Sequence, residues 1–170
     1  MATYAITVVG EDRPGIIADT TAALAELGAN LEDSSMTLLR GHFAMTLVAT
    51  IDAQIDHVRD RLNFLGDRQL SVFIRPVGGE DLPSDSATHV VRVHGGDRPG
   101  IVSAVTRTIA SARGNVVDLT TRLVGGLYVV IAEVFIPDPG DVDDLARALR
   151  AVGDELGVDV SIETIEVDEF

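Results

Sequence analysis

Two short stretches of the chain combine glycine, proline, aspartate and arginine where a helix is expected to begin. They are Gly10-Glu11-Asp12-Arg13-Pro14-Gly15, followed by Ile16, and Gly95-Gly96-Asp97-Arg98-Pro99-Gly100, followed by Ile101. Each stretch follows an apolar run and opens a segment with helical spacing, so free backbone N–H groups are expected at the helix start. That end of a helix carries partial positive charge and can hold a carboxylate or a phosphate. Because an aspartate in the same turn can hold an amine, the pattern suits a free amino acid.

A purely structural interpretation of the same residues is also open. The cap of the first helix is expected at Asp12 or Arg13. Asp12 and Asp97 could each cap a helix, a role that is worth about 1 kcal/mol. Gly15 and Gly100 could simply make the turn, because glycine adopts backbone conformations that other residues avoid. Repetition does not decide between the two interpretations, since duplicated structure is repeated as readily as a duplicated site.

Composition and charge narrow the classes of protein that the chain can be. The net charge is −14, and all 13 basic residues are arginine, with no cluster of the kind that a phosphate backbone requires. We therefore expect no direct nucleic-acid binding. The absence of cysteine excludes disulfides and thiolate metal sites. With no basic, apolar leader and no apolar run of roughly 18 residues, we expect a cytoplasmic protein without a membrane segment.

No set of residues typical of an enzyme is found in the sequence. The four histidines, His42, His57, His89 and His94, are not spaced as paired metal ligands. Neither a Gly-x-Ser-x-Gly motif nor a Gly-x-x-x-x-Gly-Lys-Ser/Thr phosphate loop occurs. The sequence therefore predicts no catalytic residues, no metal site and no cofactor.

The chain contains one unit twice. A shift of 85 residues aligns 4–51 with 89–136 without a gap, and about 14 of these 48 positions are identical. Such a long repeat favours two similar domains over a solenoid. We predict a first domain at 1–76, a polar linker rich in glycine and proline at 77–87 and a second domain at 88–170. The copies differ near the two turns, where Gly96 replaces Glu11 and Ala104 replaces Asp19, so two sites need not have equal affinity.

Hydrophobic periodicity predicts the order strand, helix, strand, strand, helix, strand in each copy. It places Ile16, Ile17, Thr20, Leu24 and Leu27 on one face of the first helix, and the hairpin connections are expected at Arg40-Gly41 and Gly125-Gly126. The predicted strands are 3–9, 31–39, 42–51, 70–74, 88–93, 116–124, 127–136 and 158–167, and the predicted helices are 14–27, 55–65, 99–113 and 142–156. This order is typical of an α+β fold of two ferredoxin-like βαββαβ domains. Right-handed crossovers place both helices on one face of each four-stranded antiparallel sheet. The open faces are expected to pair within the chain or across a dimer.

The strand, the Asp-Arg-Pro-Gly-Ile turn, the helix and the asparagine that opens the next strand resemble the ACT domain. The resemblance covers 3–76 and 88–167, and a pair of this size is similar to the group of glycine cleavage system transcriptional repressors. It implies a ferredoxin-like fold that senses amino acids. The family's ligand contacts map onto Gly10 to Ile16 with Asn30, and onto Gly95 to Ile101 with Asn115.

Three hypotheses of function follow. In the first, the chain is a non-catalytic homodimeric regulator that binds a small amino acid, such as glycine or serine, and modulates a catalytic or DNA-binding protein. In the second, it is a structural or assembly module whose sites have decayed. In the third, it is an enzyme, or a detached regulatory subunit of an amino-acid or one-carbon enzyme, and the lack of a catalytic set disfavours direct catalysis. The sequence does not identify the ligand or the partner.

Overall fold

The computed structural model describes residues 1–78 and 86–165. Its chain divides into two compact units, Met1–Leu82 and Pro83–Phe170. Most of the predicted linker, 79–85, and the end of the last predicted strand, 166–167, lie outside the described residues. The predicted domain boundaries at 76 and 88 stay a prediction.

The first unit is one antiparallel sheet of four strands with its helices. Its elements are β1 (Ala2–Glu11), α1 (Ile16–Glu26), β2 (Asn30–Leu39), β3 (His42–Ile51), α2 (Ile55–Leu62), a 3₁₀ helix (Asn63–Arg68) and β4 (Leu70–Val77). The strand order is β2-β3-β1-β4. Both β2 and β4 are therefore edge strands.

The second unit repeats this architecture with a longer final helix. Its elements are β5 (His89–Gly96), α3 (Ile101–Ser111), β6 (Asn115–Val124), β7 (Leu127–Phe135), a short 3₁₀ turn (Pro139–Asp141), α4 (Val142–Leu156) and β8 (Val158–Thr164). The strand order is β6-β7-β5-β8, and all neighbours pair antiparallel. The predicted α+β fold of two βαββαβ repeats is confirmed.

Each unit has its own apolar core between the helices and one sheet face. The alternation expected of a half-buried strand places every second residue inside. The fully buried residues of the first core include Ile6, Val8, Leu24, Leu47, Ile51 and Leu65, and those of the second include Val91, Ile101, Ile109, Ala132, Leu145 and Leu149.

Two details of the first unit differ from the sequence prediction. Ile17, expected to face the core, is 43% exposed, because it is one helical step from the buried Ile16 and points outward. The second helix was expected to end at Gly66 and Asp67. Instead α2 ends at Leu62 and a 3₁₀ helix continues through both residues to Arg68, which keeps Leu65 buried.

The hairpins that join β2 to β3 and β6 to β7 follow the prediction. Arg40 and Gly41 have φ values of 50° and 84°, and Gly125 and Gly126 have values of 58° and 85°. Two successive positive φ angles are typical of the type I′ turn, whose twist matches that of the flanking strands. Among the described residues, no helix is long and apolar enough to cross a membrane.

Candidate functional site

Both helices that follow the duplicated turns begin in the same way. Gly15 and Gly100 are the N-cap residues, and neither helix start has a hydrogen bond from a capping side chain. The Asp19 N–H donates to the Gly15 carbonyl at 2.8 Å, and the Ala104 N–H donates to the Gly100 carbonyl at 2.9 Å. The N–H groups of residues 16–18 and of residues 101–103 therefore have no partner within their helix.

This geometry corrects the prediction that Asp12 or Arg13 caps the first helix. Asp12 and Asp97 each precede the N-cap by three residues, which leaves them in the turn and exposed to solvent. The capping interpretation of the two aspartates is wrong.

The two N-cap glycines leave the helix starts open. Their φ angles are 92° and 96°, in the left-handed region that residues with a Cβ rarely adopt. A Cβ placed on Gly100 would have no neighbour within 4 Å, and one on Gly15 would meet only the Asp19 carboxylate, at 4.0 Å. A small ligand can therefore approach the backbone at either turn.

The first glycine of each turn, Gly10 or Gly95, is required by packing and not by access to the helix start. A Cβ on Gly10 would lie 2.7 Å from Leu70 Cδ2 and 2.8 Å from the Gln69 carbonyl oxygen. A Cβ on Gly95 would lie 2.7 Å from Val158 Cγ1. These glycines let the start of β4 or β8 pack against the end of the neighbouring strand, so packing alone accounts for them.

In the first unit, three charged side chains meet over the helix start. Asp19, in the first turn of α1, accepts from Arg13 Nη2 at 3.4 Å and also contacts Arg68 Nη1. Arg13 Nη1 donates to the Pro14 carbonyl at 3.3 Å, and the buried Arg13 Nε has no hydrogen-bond partner within the described part of the chain. The Arg68 guanidinium lies over the ring of Phe64, 5.5 Å from its centroid. The protein's own carboxylate therefore lies beside the free N–H groups of α1.

The second unit lacks this cluster. Ala104 stands where the first copy has Asp19, and among the described residues Arg98 has no salt bridge to a carboxylate. Its guanidinium instead packs on Gly157, with Nη1 3.1 Å from the position that a Cβ would take. The helix start of α3 thus lacks a counterpart of the Asp19 carboxylate.

The remaining residues of the predicted site line the two turns. Glu11 ends β1 and Gly96 ends β5, while Pro14 and Pro99 precede the helices and are exposed. The Asp12 N–H donates to the Gly41 carbonyl at 2.9 Å, which ties the first turn to the β2–β3 hairpin. The side chains of Ile16 and Ile101 are buried in the cores, so only their backbone can contact a ligand.

The structure does not bring the predicted asparagines to the turn of their own unit. Asn30 pairs with Thr50, which pairs with Thr3, whereas Gly10 is seven residues further along β1. At about 3.3 Å per strand residue, the two ends are about 23 Å apart. Asn115 begins β6 at the equivalent place. Residue spacing could not reveal this separation, because it depends on the direction of the second strand.

Sequence reasoning missed two features of these sites. Arg68 joins the Arg13–Asp19 pair from 49 residues beyond Asp19, and no local signal marks it. Both second strands also have a register shift directly after the asparagine, between Leu31 and Asp33 and between Val116 and Asp118. A β-bulge of this kind bends a strand and redirects its side chains.

The remaining predictions concern metal ligands and the histidines. No cluster of three or more His, Asp or Glu side chains that could hold a metal ion is found there. His94, expected to face solvent, is 60% exposed, with Nε2 3.4 Å from Asp159 Oδ2. His89 is buried, and desolvation lowers its pKa. Its Nδ1 pairs with the Thr88 hydroxyl at 2.8 Å.

Comparison with known proteins identifies the class of this fold. The family model described as the ACT domain matches residues 3–70 and 87–163. The chain therefore belongs to the ACT domain family and carries the domain twice. ACT domains are regulatory domains that bind amino acids.

Individual relatives share either one domain or the tandem arrangement. A UPF0237 protein from Methanopyrus kandleri is 40% identical over 70 residues, which cover 39% of this chain and 78% of that protein. The glycine cleavage system transcriptional repressor of Escherichia coli is 25% identical and covers 96% of this chain and 90% of its own length. The crystal structure of an unknown protein from Galdieria sulphuraria has a TM-score of 0.82 and 29% identity, over 97% of this chain and 99% of that one. The resemblance to the repressor predicted from the sequence is confirmed.

Proposed function

We propose that the chain is a non-catalytic regulatory protein that binds a small amino acid, glycine or serine, at its Asp-Arg-Pro-Gly turns. Ligand binding then modulates a protein partner. The observation that carries this proposal is the open helix start at Gly100. Free N–H groups and an exposed aspartate occur there together with a glycine whose Cβ position has no neighbour within 4 Å among the described residues.

Each part of an amino acid has a matching group at this turn. The N–H groups of residues 101–103 and the positive end of α3 suit the carboxylate. Asp97 is exposed in the same turn and suits the ammonium group. The close approach that Gly100 permits favours a ligand with a small side chain.

The second turn is proposed to bind more strongly than the first. In the first unit, the Asp19 carboxylate lies beside the helix start, paired with Arg13 and Arg68. A ligand carboxylate would have to compete there with the Asp19 carboxylate for the two arginines and for the helix start. With Ala104 at the equivalent position, the second turn has no such competitor.

The proposed partner is a protein and not nucleic acid. A net charge of −14 without lysine opposes direct contact with a phosphate backbone. Similarity to the Escherichia coli repressor supports a role in transcriptional control of amino-acid metabolism, exerted through a DNA-binding protein. We further propose that the chain acts in the cytoplasm as a homodimer.

Isothermal titration of the full chain with glycine and with serine tests the proposal. Saturable heat is expected for at least one of them, and Asp97→Asn should weaken binding about tenfold, which corresponds to about 1.4 kcal/mol. Asp143→Asn is the matched control, since this exposed aspartate loses the same charge at the start of α4, which lies beside the far end of α3 through the Arg113–Asp141 contact. If neither ligand produced heat, or if both variants weakened binding equally, the proposed site would be wrong.

One observation favours a structural role for the first copy. The Arg13–Asp19–Arg68 cluster already pairs the charges near its helix start and joins α1 to the 3₁₀ helix before β4. In this second candidate function, the first domain is an assembly module and only the second domain is a sensor. A titration stoichiometry of one ligand per chain would support it, and two would oppose it.

A further inference from the structure

A groove of about 470 Å³ lies between the end of α3 and the first half of α4. This volume is within the range of about 300–1,000 Å³ that is typical of small-molecule sites. Three apolar side chains line it, those of Ala112, Leu145 and Ala148, and Leu145 is buried. This space, the α3–α4 groove, therefore offers an apolar surface of the size that a small ligand needs.

The first unit has larger side chains at three of the equivalent positions. Glu26, Leu27 and Arg61 of the first copy correspond to Ser111, Ala112 and Ala148 of the second. The match for Arg61 follows from the buried residue directly after it, which is Leu62 in α2 and Leu149 in α4. Arg61 of α2 contacts Glu26 of α1, and Leu27 packs against the core. An arginine side chain of the first copy thus spans the space that is open in the second.

The hydroxyl groups that line the groove can only accept hydrogen bonds from a ligand. Thr108 Oγ1 donates to the Ala104 carbonyl at 2.9 Å, and Ser111 Oγ donates to the Arg107 carbonyl at 2.9 Å. A hydroxyl group has one hydrogen and two lone pairs, so the lone pairs remain for a ligand. Both hydroxyls therefore favour a ligand that donates hydrogen bonds.

Two carboxylates line the groove at the start of α4. Asp141 is the N-cap residue but makes no capping hydrogen bond, and it accepts from Arg113 Nη2 at 3.1 Å. Asp144 contacts Arg147, three residues further along the helix. Ion pairs as exposed as these contribute little, and a carboxylate has about four sites for hydrogen bonds, so each aspartate can accept a further donor. Among the described residues that line the groove, Arg113 alone is basic, and the two aspartates outnumber it.

From these observations we propose that the α3–α4 groove binds an organic cation with a guanidinium or ammonium head on an apolar stem. The stem packs on Ala112, Leu145 and Ala148, and the head donates to Asp141 or Asp144. The first copy supplies this chemistry itself through Arg61. The groove is separate from the turn at Gly100, because it lies at the other end of the 11-residue α3, and ten steps of 1.5 Å make about 15 Å.

Isothermal titration of the full chain with butylguanidinium tests the groove, with butylurea as a neutral compound of similar shape. Saturable binding is expected for the cation, and butylurea should bind at least tenfold more weakly. Ala112→Leu should weaken binding of the cation at least tenfold, because it fills the groove with the residue of the first copy and leaves the net charge unchanged. Ala110→Leu, at an exposed position of α3 outside the groove, is the matched control and should have no effect.

A second pair of variants tests the carboxylates. Asp141→Asn/Asp144→Asn should weaken binding of butylguanidinium at least tenfold, whereas Asp154→Asn/Glu155→Gln removes the same charge near the end of α4 and should have no effect. Circular dichroism of each variant checks that the fold is intact. If butylguanidinium did not bind, or if each control matched its groove variant, the proposed groove would be wrong. Displacement of the cation by glycine would also contradict it, because glycine is proposed to bind at the turn.

The same head group can come from a free compound or from an arginine side chain of a partner protein. Titration with acetyl-Ala-Arg-Ala-amide distinguishes the two sources. Tighter binding of butylguanidinium than of the peptide would indicate a free compound, and tighter binding of the peptide would indicate the side chain. Either result supports a cation in the groove, provided that Ala112→Leu weakens it.

Discussion

The two turns share a backbone and differ in their side chains. Both start a helix from a glycine with φ above 90°, and both begin with a glycine that packs against the next edge strand. Over the first helix start lies the Arg13–Asp19–Arg68 cluster, while the second helix has Ala104 in place of Asp19. Duplication has therefore kept the geometry that glycine imposes, whereas the electrostatics of the two turns have diverged.

The helices before β4 and β8 differ in length, and this difference explains the arginine contacts near the two turns. In the first unit, the 3₁₀ helix brings Arg68 beside Asp19 just before Gln69, whose φ is 63°. In the second unit, α4 continues to Leu156 and ends at Gly157, whose φ is 64°. Because Gly157 has no Cβ, Arg98 can pack on its backbone. The equivalent left-handed position is thus Gln69 in the first copy and Gly157 in the second, and only the glycine leaves room for an arginine.

The largest expected effect tests what the two turns share. Gly95→Ala should destabilise the second unit by about 1–3 kcal/mol, because its Cβ would lie 2.7 Å from Val158 Cγ1 and 3.0 Å from Val158 Cα. Chemical denaturation of the full chain measures the loss. Gly96→Ala is the control, since a Cβ there would meet nothing within 4 Å. Equal effects of the two substitutions would show that packing does not explain Gly95.

A smaller effect is expected from exchanging the residue that distinguishes the turns. Ala104→Asp should weaken glycine binding at the second turn about tenfold, because it introduces a carboxylate like that of Asp19. Asp19→Ala should strengthen binding at the first. Titration of each variant with glycine measures both changes. Ser111→Asp adds the same charge at the far end of α3 and should have no effect; if it matched Ala104→Asp, overall charge would be responsible.

The smallest expected effect is on the pH dependence of stability. It comes from His89 in β5, where the first copy has Tyr4. Desolvation lowers the pKa of the buried His89 below its ordinary value of 6.5. The folded state therefore favours the neutral imidazole, so this contribution to stability is present above pH 6.5 and is lost as the pH falls through the lowered pKa. Thermal unfolding should show a lower melting temperature at pH 5 than at pH 7.5. His89→Gln should reduce this difference and His57→Gln, at an exposed site, should not.

Local sequence patterns were sufficient to predict the helices and strands and their order along the chain. Alternating residues such as Phe43 and Leu47 marked a half-buried strand, and glycines at 41 and 126 marked the hairpin turns. Patterns were weaker at helix starts. Asp12 was expected at the cap because aspartate favours that position, but the backbone conformation of Gly15 moved the cap by three residues.

By itself, the sequence determined that the chain holds two βαββαβ domains with a duplicated turn before a helix. Hydrophobic periodicity and glycine placement reflect local backbone geometry, which depends on residues that are close together in the sequence. Only the tertiary structure decided that Arg68 reaches Asp19, that Asn30 lies about 23 Å from Gly10, and that Gly95 is held by Val158. These relations depend on strand order and on the length of the second helix, so they arise between residues that no local pattern connects.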